Sequence, residues 1–264
     1  MIFFDERQPN KYNDFKKLLV PHILANKDKI PYLQGRYGKN DGSYVYGYTL
    51  ANNSIFHEMP IDNVLSYGIG DDPEGVSFEQ EMSARGKNIA MYDASIDELP
   101  ADIPNATFYK EYLTEENFQH HLFTADLRHN ILKMDIEGHE YKWLSDRNLE
   151  LLKDNFAQFS VEVHSLIEEV PEGWELEPQL AAAKKDKQLK LDFFKKLNKH
   201  FYLFHIHGNN HGPRYVDFPD SLELTYINKK VAIVMSRDMR QYPIAGLDEA
   251  NYDGREDYVL DWWV

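Results

Sequence analysis

The stretch Asn63–Ser95, NVLSYGIGDDPEGVSFEQEMSARGKNIAMYDAS, decides how this chain is read. Val64 to Tyr67 has the composition of a buried strand. Gly68 and Gly70 then allow a tight turn where backbone can come close to a ligand. Ser77 to Arg85 reads as a polar helix, and Asn88 to Tyr92 as a second strand ending at Asp93. In a βαβ unit of this order the acid accepts hydrogen bonds from a ribose diol, and the glycine loop carries the other end of a nucleoside cofactor. A lone GxG also occurs in ordinary glycine turns of unrelated α/β proteins. The acid after the second strand is what favours a cofactor here.

The loop chemistry separates two kinds of cofactor. A dinucleotide loop keeps a third glycine so that the helix N-terminus can approach a pyrophosphate. After Gly70 this chain has Asp71, Asp72 and Glu74, whose carboxylates repel a diphosphate. The same charges suit S-adenosylmethionine, which carries an ammonium and a sulfonium and no phosphate. Acidic side chains turned to solvent would weaken this preference.

The whole chain has 264 residues, 42% hydrophobic and 28% charged, enough for one full domain with a small appendage. Its formal charge of −15 and its lack of a basic stretch speak against nucleic acid and anionic lipid as partners. With no cysteine there is no disulfide, thiolate nucleophile or cysteine-held zinc. The start, MIFFDERQPNKY, does not resemble a signal peptide, and no apolar run is long enough to span a bilayer, so a cytoplasmic location is expected.

Around the central stretch, Asn10 to Asn26 is expected to be a leading helix bent or divided at Pro21. Gly35 to Tyr48 reads as a turn entering short strands, and Phe108 to Tyr112 as a third short strand. Further strands are expected at Asn130–Glu137, Phe159–His164 and Phe201–Ile206, with helices at Glu140–Lys153 and Lys187–Lys199. Ser221–Tyr226 and Val231–Met235 read as an antiparallel pair closing the sheet, with an irregular tail from Tyr242. Alternating strands and helices argue for a mostly parallel sheet covered on both sides.

Ligands of open α/β sheets bind beyond the carboxyl ends of the strands. Asp93, Asp135 with Glu137, Glu162 with His164, and His205 with His207 all fall at such ends, and core strands seldom carry ionisable groups without a partner or a task. Each has a plainer reading as well: Asp135 as a helix cap, Glu162 as a buried partner of a base, His164 as a strand-end histidine bound to a loop. Histidine suits proton removal from a hydroxyl. Asp, Glu and His together also suit a divalent metal, assembled from several strands because the chain has no HxxxH on a helix.

ILKMDIEGHEYKWL, Ile131 to Leu144, resembles the LKxDxEGxE block of the FkbM-like S-adenosylmethionine-dependent methyltransferases. SYGIGDDPEGVSFEQEMSARG, Ser66 to Gly86, resembles the cofactor loop of a related methyltransferase-like group, and NDGSYVYG, FSVEVH and LTYINK are similar to its other landmarks. The likeness spans about Gly35 to Gly254. The loop departs from the simple pattern in carrying Pro73, Glu74 and Gly75 before Ser77.

The resemblance implies an α/β, Rossmann-like class I methyltransferase fold, with a seven-stranded mostly parallel sheet and helices on both faces. Residues 1–34 would form an N-terminal helical extension, and 35–264 the methyltransferase domain with a lid-like insertion around 165–186. Tyr67, Gly68, Gly70, Asp72, Phe78, Asp93 and Ala94 are expected to form or support the S-adenosylmethionine site, with Glu79 behind the loop and Glu140 bracing the next motif. His164, His205, His207, Asp135 and Glu162 are the catalytic candidates, and Asp135, His164 and His207 the ligands of a Mg or Mn ion. Asn209, Asn210, His211, Arg214 and Trp174 are the candidates for binding the acceptor. The expected activity is O-methylation of a hydroxyl on a sugar or other small polar metabolite, in surface-polysaccharide biosynthesis, with homo-oligomerisation left open. The alternatives are a small nucleotide-dependent oxidoreductase and a non-catalytic binding or scaffold subunit.

Overall fold

The computed structural model describes residues 11–39, 43–49, 56–168, 185–215 and 218–263. The chain begins with α1 (Asn13–Leu18), β1 (His22–Ala25), β2 (Leu33–Tyr37), β3 (Ser43–Thr49) and β4 (Phe56–Glu58). The central unit follows as β5 (Asn63–Tyr67), α2 (Ser77–Ala84), β6 (Asn88–Tyr92) and β7 (Ala106–Tyr109). Then come β8 (Asn130–Met134), α3 (Glu140–Trp143), α4 (Asp146–Asn155), β9 (Gln158–Val163), α5 (Lys187–His200) and β10 (Phe201–Gly208). Two short strands, β11 (Arg214–Tyr215) and β12 (Phe218–Pro219), precede β13 (Leu222–Asn228) and β14 (Ile233–Arg237).

Seven strands form the main sheet in the order β10-β13-β9-β8-β5-β6-β7. All neighbours from β9 to β7 pair in parallel, while β13 runs antiparallel between β9 and β10. This is the expected Rossmann-like class I methyltransferase arrangement. Period-2 alternation sorts its apolar residues into two cores. Val64, Ile89, Met91 and Ile131 pack with Phe78 and Met82 of α2 on one face. Leu65, Leu132 and Phe159 pack on the other with Leu149 and Leu152 of α4 and Phe194 and Leu197 of α5.

Several expectations need correction. The leading helix stops at Leu18, and the chain beyond Pro21 is strand β1, because proline cannot donate to a helix and disfavours helical backbone before it. The N-terminal extension is therefore not wholly helical. Strand β14 does not pair with β13; it pairs with β1, leaving β13 free to enter the main sheet. The helix expected over Glu140–Lys153 is two helices, because Ser145 takes an extended conformation and its side chain accepts from Asn148 N, capping α4. β2, β3 and β4 make a separate three-stranded antiparallel sheet. Most of the lid-like segment around 165–186 lies outside the described residues, as does Trp174.

Candidate functional site

The chain goes outward from β5 to β6 and β7, then returns to β8 on the other side of β5, so the sheet has its switch point between β5 and β8. Ligands of such sheets bind at that point, beyond the strand ends. A cleft of about 570 Å³ opens there. Its lining runs from Tyr67, Gly68 and Tyr92–Ser95 across Glu111–Leu113 to Asp135–Glu137 and His139. Among the described residues the lining includes four carboxylates, Asp93, Glu111, Asp135 and Glu137, and neither lysine nor arginine.

Gly68 has φ of 75°, and a Cβ built there would stand 1.4 Å from the carbonyl oxygen of Asp135. Only glycine fits. Asp93 fixes the loop that follows: Oδ2 accepts from Ile69 N (2.8 Å), and Oδ1 accepts from the backbone and hydroxyl of Ser95 (2.6 Å each). Oδ1 thus accepts two hydrogen bonds from the protein and Oδ2 one, which leaves one acceptor site on Oδ2. Asp71, Asp72 and Glu74 do not line the cleft. Asp72 Oδ1 accepts from the amides of Glu74 and Gly75 and holds its own exposed turn, so these loop acids do not select between a diphosphate and a sulfonium, contrary to expectation. Phe78 is a core residue on α2, and Glu79 beside it is enclosed, accepting from Ser66 Oγ (2.6 Å) with Lys133 Nζ at 3.6 Å. Of the expected cofactor residues, Tyr67, Gly68, Asp93 and Ala94 line the cleft; Gly70, Asp72 and Phe78 do not.

At the β8 and β9 ends, four carboxylates surround His164. Nδ1–H donates to Glu140 Oε1 (3.0 Å), while Nε2 faces Glu162 at 3.4 Å, Asp135 at 3.6 Å and Glu137 at 3.7 Å. Burial works against a charge on His164, but the bonds to Glu140 and Glu162 overcome it and hold the imidazole protonated well above its usual range. Both ring nitrogens face acceptors, so the ring has no lone pair for a substrate proton. The expectation of His164 as a base is corrected on that ground. Burial likewise pushes the Glu162 carboxyl up, and His164 and Asn209 together bring it below its ordinary value. Asp135, Glu140 and His164 each offer one ligand atom within 4.8 Å of the others. The backbone is left-handed at Glu137 (φ 52°) and Ser165 (φ 58°), one in each loop that carries this group. Strain of that kind gathers at functional sites.

The structure does not bring the other histidines here. His207 is buried between Glu223 (2.8 Å from Nδ1) and Asp257 (2.9 Å from Nε2). Burial alone would lower its pKa, but the two carboxylates raise it to about 10. His207 is an ion-paired clamp on the C-terminal segment, which corrects its expected roles as base and as metal ligand beside Asp135 and His164. His205 is fully enclosed, 3.0 Å from Asp248, under the ring of Tyr44 (centroids 3.7 Å apart) and against Tyr242. Burial keeps it neutral, and it does not line the cleft.

None of the described residues proposed for the acceptor lines the cleft. Asn209 donates to Glu162 (2.7 Å) and so braces the His164 group. Asn210 is buried and spends its side chain on Tyr252 and Arg255 of the tail. His211 meets Tyr252 edge-on, and Arg214 stands over the Tyr258 ring at 5.4 Å.

Two residues escaped the sequence reading. Tyr67 Oη lies 2.7 Å from His121 Nδ1, and His121 Nε2 faces Glu111 at 3.4 Å, so the hydroxyl donates to the imidazole. Burial lowers the His121 pKa, and its ring stacks on Tyr92 (4.0 Å). Glu111 stayed hidden because the strand was expected to run to Tyr112. The strand ends at Tyr109, which makes Glu111 a strand-end acid like the others.

No known family model and no curated protein matches the chain. Solved structures share its outline. A TehB-like SAM-dependent methyltransferase from Corynebacterium glutamicum is 13% identical over 64% of this chain and 80% of its own, with a TM-score of 0.38. A SAM-dependent methyltransferase from Aquifex aeolicus is 12% identical over 66% and 85%, also at 0.38. The fibrillarin pre-rRNA processing protein of Methanococcus jannaschii is 10% identical over 79% and 95%, at 0.41. Likenesses this distant carry no argument about activity, and the fold assignment stands on the strand order. Among the described residues, no helix is long and apolar enough to cross a membrane.

Proposed function

We propose that the chain is an S-adenosylmethionine-dependent O-methyltransferase of the FkbM-like kind, acting on a hydroxyl of a sugar or other small polar metabolite. The observation that carries this reading is the charge of the cleft: four carboxylates and, among the described residues, no lysine or arginine at the sheet's switch point. A dinucleotide would set its diphosphate against those carboxylates, whereas a cationic sulfonium and ammonium are attracted to them. This favours a methyl donor over the nicotinamide cofactor of an oxidoreductase. The uneconomic placement of charge also disfavours a pure scaffold, which gains nothing from gathering carboxylates around one histidine.

S-adenosylmethionine supplies a methyl group on a positively charged sulfur. The protein's part is alignment, since holding the acceptor oxygen in line with the methyl removes several kcal/mol of barrier at about the scale known for oriented reactants. Tyr67, Gly68, Asp93 and Ala94 would hold the donor, with Asp93 taking a ribose hydroxyl through the remaining acceptor site of Oδ2. Once bound, the cofactor would supply the methyl, its C–S bond breaking as the new C–O bond forms, and a carboxylate of the protein would take the hydroxyl proton. Asp135 and Glu137 are the cleft-facing groups able to take it, in place of the histidines. The sequence-based expectation of a Mg or Mn ion belongs at the same place, with Asp135 and His164. Arg214, His211, Trp174 and the lid-like segment remain proposals for the acceptor side; a sugar acceptor for surface polysaccharide and self-association rest on the sequence reading alone.

The test is transfer of a labelled methyl group from S-adenosylmethionine into small-molecule sugar and nucleotide-sugar fractions. Base-stable incorporation, abolished in Asp135→Asn, supports O-methylation. Incorporation into nucleic acid or protein alone overturns the proposed acceptor class. Absence of turnover with every fraction, despite cofactor binding, favours the scaffold reading.

A further inference from the structure

Four carboxylates gather round one buried imidazole. His164, even doubly protonated, supplies one positive charge and two N–H groups. Asp135, Glu137, Glu140 and Glu162 supply four negative charges within 3.7 Å of its ring nitrogens. Nδ1 is settled by Glu140 at 3.0 Å. Nε2 has three carboxylate oxygens at 3.4 to 3.7 Å. Glu140 is fully enclosed: Oε1 accepts from both Gly138 N and His164, and Oε2 has no hydrogen-bond partner. An enclosed carboxylate oxygen with nothing to bond is costly in an apoprotein and is natural beside a cation.

The mutual distances fit one ion. Asp135, Glu140 and His164 each present a ligand atom within 4.8 Å of the others, and they come from three separate places: the end of β8, the start of α3 and the end of β9. His164 Nδ1 and Glu140 Oε1, 3.0 Å apart, have the spacing of two ligand atoms on one ion, which would take the place of the proton between them. Asn209 steadies Glu162 from the far side. Asp135 and Glu137 also line the large cleft, so the group touches the space a substrate would enter.

We infer that Asp135, Glu140 and His164 bind one divalent cation, with Glu137 and Glu162 as neighbouring charges and water filling the positions that face the cleft. Two carboxylates and one imidazole suit a Mn²⁺- or Fe²⁺-like ion, with Mg²⁺ weaker at a nitrogen ligand. This replaces the expected His207 by Glu140, since His207 is held by Glu223 and Asp257. Binding of the ion does not depend on the methyltransferase reading. Its purpose does: it would orient the acceptor hydroxyl and ease loss of its proton.

The experiment is titration of chelator-treated, dialysed full-length protein with Mn²⁺, followed by electron paramagnetic resonance and calorimetry. The expected result is one Mn²⁺ per chain with a nitrogen coupling that disappears in His164→Gln. Glu140→Gln and Asp135→Asn should each weaken binding by about 10- to 100-fold, the scale seen when ligands or their supports are lost. Glu223→Gln, in the neighbouring His207 clamp, should leave Mn²⁺ affinity unchanged. Circular dichroism checks each fold, and Asp135→Asn, whose side chain is partly exposed at the edge of the group, keeps the test alive if Glu140→Gln fails to fold. No stoichiometric site, or a site indifferent to Asp135, Glu140 and His164, overturns the inference. S-adenosylmethionine affinity is measured on the same samples: cofactor binding without a metal site rejects only the ion, and a metal site without cofactor binding rejects only the methyltransferase.

Discussion

Gly68 lies directly against the backbone of Asp135: a Cβ at position 68 would stand 1.4 Å from the Asp135 carbonyl oxygen. The contact joins the ends of β5 and β8, the two strands between which the cleft opens. Gly86 offers an internal control, because it has nearly the same φ (77° against 75°) with nothing within 4 Å of its would-be Cβ. Gly86→Ala should cost about 1 to 2 kcal/mol, the price of left-handed backbone alone. Gly68→Ala carries that cost plus a clash with backbone and should exceed about 4 kcal/mol. Denaturant titration of the two variants checks this; equal losses would mean that the close approach is absent.

Asp93 carries two duties that substitution can separate. Its carboxylate holds Ile69 N and Ser95, and in the proposed mechanism it also receives the ribose. Asp93→Ala should therefore lose about 1 to 3 kcal/mol of stability as well as cofactor affinity. Asp93→Asn can keep its oxygen on Ile69 N only by turning its NH2 to Ser95, whose hydroxyl can accept but whose amide loses its partner. It should lose about 1 kcal/mol of stability, less than Asp93→Ala, while S-adenosylhomocysteine affinity falls at least about tenfold, or 1.4 kcal/mol. A variant with unchanged affinity would remove Asp93 from the cofactor site.

His207 makes the C-terminal clamp dependent on pH. Its folded pKa, about 10, lies above the ordinary 6.5, so the folded state holds the proton more tightly. The groups facing it are Glu223 on β13, Asp257 on the tail and, two residues away, His205. The stabilisation is full below pH 6.5 and is lost as pH rises towards and through 10. His207→Gln should accordingly be destabilised at neutral pH by roughly 3 to 5 kcal/mol, as when a buried ion pair loses one partner. The gap between parent and variant in urea unfolding should close as pH rises to 10 and above. A gap that stays constant from pH 6 to 10 contradicts the ion-paired clamp.

The sheet was legible because its signals are local. The composition of Val64–Tyr67, the glycines after it and the acid at Asp93 all lie within one βαβ unit, and β5, α2 and β6 stand where they were expected. Long-range choices were not legible. Nothing local to Val231–Met235 says that β14 will pair with β1 rather than with β13, because that depends on which edge each strand reaches. The strand-end acids Asp93, Asp135, Glu137 and Glu162 were visible by position, and they do gather near the cleft. The histidines were visible by type but not by state. His164 and His207 acquire their charge from Glu140, Glu162, Glu223 and Asp257, which lie from 2 to 50 residues away along the chain and meet them only in the fold. The same holds for His121, whose hydroxyl partner Tyr67 is 54 residues distant.

The central claim is that the acidic cleft receives a methyl donor and not a dinucleotide. Calorimetric titration of the purified full-length chain with S-adenosylhomocysteine, set beside the same titration with NADH, measures this directly. Saturation by S-adenosylhomocysteine at one equivalent per chain, with no heat of binding for NADH, is the predicted result. Saturable NADH binding without any for S-adenosylhomocysteine would contradict it.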